Sequence, residues 1–148
     1  LVGTINNGPD ARIYIYRLLN PTSGTASISV VLSGAPDKGA SVGAIDYSGV
    51  DQSTPLGTFA SAIGSSSAPS VNVTSASGQL VFDVLSVKHT TALTPGAGQT
   101  ERWDFASSEI RGGASTESAT AATTTMSWTS GNNKWAIGGV AIRLFAVP

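Results

Sequence analysis

The chain has 148 residues, a formal net charge of −1 and only 11% charged side chains. That length suits one domain with one core, and the charge supplies no basic stripe to neutralise a row of phosphates, so nucleic acid is not an expected partner. Cysteine is absent, which excludes disulfides, thiolate nucleophiles and Cys-ligated metals. No apolar run approaches the roughly 20 residues that span a bilayer as a helix, and no basic segment followed by an apolar run opens the chain, so membrane insertion is not expected. Ser, Thr, Gly and Ala stand where Lys and Glu would crowd a cytosolic surface, a neutral composition that points to an extracellular or cell-surface setting.

In chain order, Ala11 to Leu19 predicts the first strand, with Ile13, Ile15 and Leu19 on one face and Tyr14, Tyr16 and Leu18 on the other. Both faces are apolar or aromatic, which predicts a central position. Asn20-Pro21-Thr22-Ser23-Gly24 breaks it, because Pro21 lacks a donor and Gly24 accepts positive φ. Thr25 to Leu32 alternates, with Ala26, Ile28, Val30 and Leu32 predicted inward and Thr25, Ser27 and Ser29 wet. Ala40 to Tyr47 reads as a further strand, ended by Ser48-Gly49 and a loop to Pro55. Val71 and Val73 mark a short strand, and Gln79 to Lys88 a long one interrupted only by Asp83 and predicted mid-sheet. Gln99 to Ala106 alternates and carries Trp103 and Phe105, and Arg111 to Ala119 is a weaker strand. Ser127 to Ser130 and Asn133 to Ala136 flank Gly131-Asn132, which predicts a hairpin with a type II′ turn and Trp128 opposite Trp135. Ile137 to Leu144 completes the chain as a buried strand, while Ser61 to Ser70 and Ser115 to Thr125 are low-complexity stretches read as wet edges or loops.

These elements predict a single domain over residues 1–148, all-β, an antiparallel two-sheet β-sandwich of jelly-roll type with about nine or ten strands. The predicted core is Ile13, Ile15, Leu19, Ile28, Val30, Leu32, Ile45, Val71, Val73, Leu80, Phe82, Val84, Trp135, Ile137, Val140 and Ile142.

The segments IYIYRLLNPTSG (13–24), AIDYSGVDQSTPL (44–56), GQLVFDVLSV (78–87) and WAIGGVAIRL (135–144) together resemble a repeat-type β-sandwich module of bacterial secreted and cell-surface proteins. The resemblance covers nearly the whole chain and implies fold and setting more than activity, since such modules sit beside glycoside hydrolases, adhesins and uncharacterised repeats. Modules of that kind usually begin with one or two more apolar strands before the position of Leu1. Their lack would leave an open edge beside the final strand, where a neighbour could donate one.

Chemistry has few candidates. Nucleophilic catalysis needs a base, and the sole imidazole is His89, with no G-x-S-x-G elbow anywhere. Asp46, Asp83, Glu101, Asp104, Glu109 and Glu117 contain no pair selected by spacing for glycoside hydrolysis, and Asp83 in an apolar strand reads as a hydrogen-bonded structural carboxylate. A structural Ca²⁺ would find Asp37, Asp46 and Asp51 as its nearest oxygen ligands, although no D-x-D-x-D-G run is present; no other cofactor is expected. Asn72-Val73-Thr74 matches a glycosylation acceptor.

Sugar binding lays a pyranose on an aromatic ring while polar neighbours hold its hydroxyls. Trp103 flanked by Arg102 and Asp104, and Trp128 with Trp135 beside Asn132 and Asn133, are the candidates; the competing reading places these tryptophans in the core. The expected function is a non-catalytic module that binds polysaccharide or a cell-surface glycan. The alternatives are a self-assembling structural subunit of a filament, sheath or virion surface, partnered by copies of itself, and, third, a glycan-active enzyme.

Overall fold

The computed structural model describes residues 1–145. Its strands are β1 (Gly3–Asn7), β2 (Ala11–Ile15), β3 (Ala60–Ser66), β4 (Ser70–Thr74), β5 (Leu80–Val87), β6 (Thr94–Pro95), β7 (Thr100–Ser107), β8 (Ile110–Ser118), β9 (Thr123–Thr129) and β10 (Asn133–Ile142). Every pairing among them is antiparallel, and no helix interrupts them. The all-β class predicted from the punctuated alternation is therefore what the chain adopts.

β10 organises the fold. From Trp135 to Ile142 it is buried on both faces, a pattern that only a strand covered from both sides can carry. Its edges are taken by β3 and β5, and the five-stranded sheet runs β3-β10-β5-β8-β7. A three-stranded sheet, β4-β9-β6, lies against one face. Between the two sheets Val71, Val73, Val81, Leu85, Val87, Leu93, Met126, Trp128, Trp135 and Ile137 form one cluster. The β1–β2 hairpin covers the other face over β10, where Ile13 and Phe59 close on the space beside Gly138. A Cβ at Gly138 would strike both, so the hairpin can sit this close only because that residue is glycine.

Several expectations are corrected. Trp128 and Trp135 are not cross-strand partners in a hairpin: β9 pairs with β4 and β6, and β10 with β3 and β5, so the chain passes from one sheet to the other through Ser130–Asn132. Two-sided burial of β10 outweighs the local turn signal, because both its edges are needed to build the larger sheet. For the same reason the final strand has no open edge. Ser61 to Ser70 holds most of β3 and the start of β4, and Ser115 to Thr125, read as wet edge or loop, holds the end of β8 and the first three residues of β9 on either side of a short turn.

The core shifts accordingly. Ile13, Ile15, Val71, Val73, Trp135, Ile137, Val140 and Ile142 are buried as expected. In β5 the face carrying Val81, Asp83 and Leu85 is sealed, while Leu80, Phe82 and Val84 are half-buried. The largest departure is the segment between β2 and β3. Thr25–Leu32 and Ala40–Tyr47 form no strands, and Leu19, Ile28, Val30, Leu32 and Ile45 are exposed.

Candidate functional site

The sequence of the first hairpin separates two faces by simple alternation. Ala11, Ile13 and Ile15 point to β10, which leaves Arg12, Tyr14 and Tyr16 outward. The hairpin closes through Gly8, at φ 61°, which L side chains adopt at a cost. It is pinned at that tip: the Asn7 side-chain amide donates to the carbonyls of Gly64 (2.8 Å) and Trp135 (3.0 Å). Asp10 accepts from Lys88 Nζ (2.7 Å) and Lys134 Nζ (2.8 Å). The two ammonium groups hold the Asp10 carboxyl down at about 2, because they favour its charged form.

On this fixed strand Tyr14 and Tyr16 stand 48% and 69% exposed, their ring centroids 6.3 Å apart with 22° between planes. Arg12 Nη1 donates to the Tyr14 hydroxyl at 3.2 Å. The register sets Thr4 opposite Tyr14 and Asn6 opposite Arg12, so a pair of nearly parallel rings is bordered by a guanidinium, an amide and a hydroxyl. Leu18, 78% exposed, follows directly.

The tryptophans and their neighbours lie elsewhere. Trp128 and Trp135 are 2% and 7% exposed, so neither offers a ring face to a sugar: the two-sheet core claims both. Trp103, on β7, is half-buried with Gly43 and Ser41 packed toward its indole side of the sheet. Arg102 is exposed and donates from Nε to Thr116 Oγ1 (2.7 Å) at the rim of a shallow cleft of about 310 Å³. Asp104 forms a paired contact with the Arg111 guanidinium and accepts from the Leu93 amide (3.1 Å), so its oxygens serve the loop between β5 and β7. Asn132 is exposed, and Asn133 Oδ1 accepts from the Lys134 amide (2.8 Å).

Among other polar candidates, Asp83 is completely buried. It accepts from Ser115 N (2.9 Å), Ser115 Oγ (2.6 Å) and Trp128 Nε1 (2.6 Å). Ser115 Oγ in turn accepts from Gln99 Nε2 (2.7 Å), and Gln99 Oε1 from Ser127 N (2.8 Å). The chain of bonds joins β5 and β8 of one sheet to β9 of the other. Burial pushes the Asp83 carboxyl up to about 6, against the pull of its donors.

His89 Nδ1 accepts from the Thr91 amide (3.0 Å), and its ring lies against Gly131. Asp51 accepts from the amides of Ser53 (2.7 Å) and Thr54 (3.0 Å), a turn that holds its carboxyl below the usual range. Asp37 and Asp46 are exposed, and among the described residues no three or more acidic, His or Cys side chains gather as a metal site. Asn72 is exposed on β4, its Oδ1 taken by Thr125 Oγ1 (2.7 Å).

Sequence reasoning missed Tyr14 and Tyr16 as a surface pair, because a strand with aromatic and aliphatic faces reads as buried on both. The signal for the correct reading is Gly8-Pro9-Asp10, a turn that makes β2 the second half of an outlying hairpin, together with the polar ends that tyrosine keeps in water.

No family model matches this chain, and neither does any curated protein or solved structure. Among the described residues no helix is long and apolar enough to cross a membrane.

Proposed function

We propose that this chain is a non-catalytic extracellular module, of the jelly-roll kind, that binds polysaccharide or a cell-surface glycan, and that its platform is the outward face of the β1–β2 hairpin. The observation that carries the reading is the exposed, nearly parallel Tyr14–Tyr16 pair beside Arg12. Flat aromatic area lies next to hydrogen-bonding groups there, the combination that a sugar ring requires. The hairpin is pinned at its tip by Asn7 and Asp10, so little ordering is left to be done on binding. A non-catalytic role is supported by the engagement of the titratable groups: His89 caps a turn, Asp104 is locked to Arg111, and Asp83 is sealed between sheets.

The test is retardation in native gels containing a panel of neutral and acidic polysaccharides. Tyr14→Ala and Tyr16→Ala are each expected to weaken retention about tenfold, the loss of about 1.4 kcal/mol, while Asn132→Ala leaves it unchanged. No retention on any polysaccharide, or retention indifferent to both tyrosines, contradicts the reading.

A further inference from the structure

The larger sheet sets one arginine apart. β7 and β8 pair in register through Glu101 and again from Trp103, so Arg102 is left without a partner across the ladder. A bulge of this kind re-aims a side chain. Here it brings Arg102 to the outer face, which Leu80 and Phe82 of β5, Thr116 and Ser118 of β8 and Thr100 of β7 share as directly opposed residues.

Arg102 Nε donates to Thr116 Oγ1 (2.7 Å), and Thr116 is itself buried. The guanidinium is therefore held by the sheet, while Nη1 and Nη2 have no acceptor and no carboxylate partner among the described residues. Arg102 lines a cleft of about 310 Å³ with Leu80, Thr100, Thr116, Glu117 and Ser118, and Glu117 is in no ion pair either. On the same face Tyr47 stands edge-on to Phe82, the direct neighbour of Thr116. Its hydroxyl is buried without a partner among the described residues, and Arg102 is the charge that bears on it. An orphaned donor beside a free guanidinium fork marks a place that lacks an acceptor.

These groups select one chemistry. A guanidinium fixed through Nε presents two parallel N–H groups to a planar carboxylate. Glu117 disfavours a bare anion but accepts from hydroxyls, Thr100 and Ser118 add hydroxyl partners, and Leu80 offers apolar surface to a ring. The volume lies at the lower end for small-molecule sites.

We propose that this cleft binds a uronic acid residue, with its carboxylate on the Arg102 fork and its hydroxyls on Glu117, Thr100 and Ser118. The site is separate from the Tyr14–Tyr16 platform and does not depend on it.

Calorimetric titration and amide-shift mapping of the whole chain test it, with trimers of galacturonate and glucuronate, a neutral glucose trimer and sodium sulfate as probes. Saturable binding of a uronate trimer is expected, with shifts centred on Thr100–Arg102 and Thr116–Ser118, and much weaker binding of glucose trimer and sulfate. Arg102→Gln is expected to weaken uronate binding about tenfold or more, the range for hydrogen bonds to a charged group. Thr116→Val, which frees the guanidinium and keeps the side-chain shape, is expected to weaken it by a smaller factor. Arg102 is exposed, so its replacement leaves the fold intact, and Tyr14→Ala is expected to leave the affinity unchanged. No uronate binding, binding matched by the glucose trimer or sulfate, or an affinity that survives Arg102→Gln and falls with Tyr14→Ala overturns the proposal.

Discussion

Two stretches of this chain share a pattern and meet opposite fates. β5 and Thr25–Leu32 both place aliphatic residues at alternate positions, yet β5 lies between β8 and β10 with Val81, Leu85 and Val87 sealed, while Val31 is almost wholly in water. Pattern fits a segment to a sheet, but bonds on both edges and cover on a face give it a place there. β5 obtains its neighbours from later in the chain, β8 and β10, each reached only after intervening strands. Thr25–Leu32 is followed instead by Gly, Pro and Asp residues that carry the chain along the outer face, where Tyr47 meets Phe82 edge-on.

The sharpest way to probe this contrast is truncation on each side of it. Leu85→Ala empties a fully buried site and is expected to cost about 2–5 kcal/mol in urea unfolding. Val31→Ala stands at the other extreme and is expected to stay within about 0.5 kcal/mol in dilute solution. A comparable loss at both positions would erase the distinction.

Next in size is the response to pH. Asp83 keeps its proton in the folded chain up to about 6, whereas the unfolded carboxyl loses it near 3.8. Its contribution is full below 3.8 and is lost as pH rises through about 6, a decline of about 3 kcal/mol. Asp10, held down at about 2, acts in the opposite sense: its contribution is present above 3.8 and disappears as pH falls toward 2. Asp51 adds to that lower limb in the same direction. Stability measured against pH is therefore expected to peak near 4. Asp83→Asn should flatten the upper limb, and Asp10→Asn should shorten the lower one, the smallest of these effects. A profile rising steadily from pH 4 to 7 would contradict the assignment of Asp83 as a buried carboxyl that gives up its solvation for three donors.

How much of this was legible in the sequence depends on what each residue needed. β2, β5 and β10 were readable because each carries enough apolar residues to require burial of at least one face; β7 was readable only from its alternation, and none of its residues is buried. β3 was not, since ASAIGSS offers little to bury and earns its place through backbone bonds to β10. The turn at Gly131-Asn132 misled because local chemistry favours a hairpin, while the demand for two partners along β10 is long-range and leaves no mark on the turn itself. For the candidate site, tryptophan was the natural guess as the largest aromatic. That same size drew Trp128 and Trp135 inward to fill the space between sheets, and the smaller, hydroxylated tyrosines were left for the surface.

The most direct test of the whole picture is residue-resolved amide exchange in dilute solution. Slow exchange is expected through Val81–Val87, Gly112–Thr116 and Ile137–Ile142, with exchange near the unfolded rate across Gly24–Leu32. Equal protection of the two regions at every dilution would contradict the account, because it would mean that Thr25–Leu32 already holds strand partners within the chain.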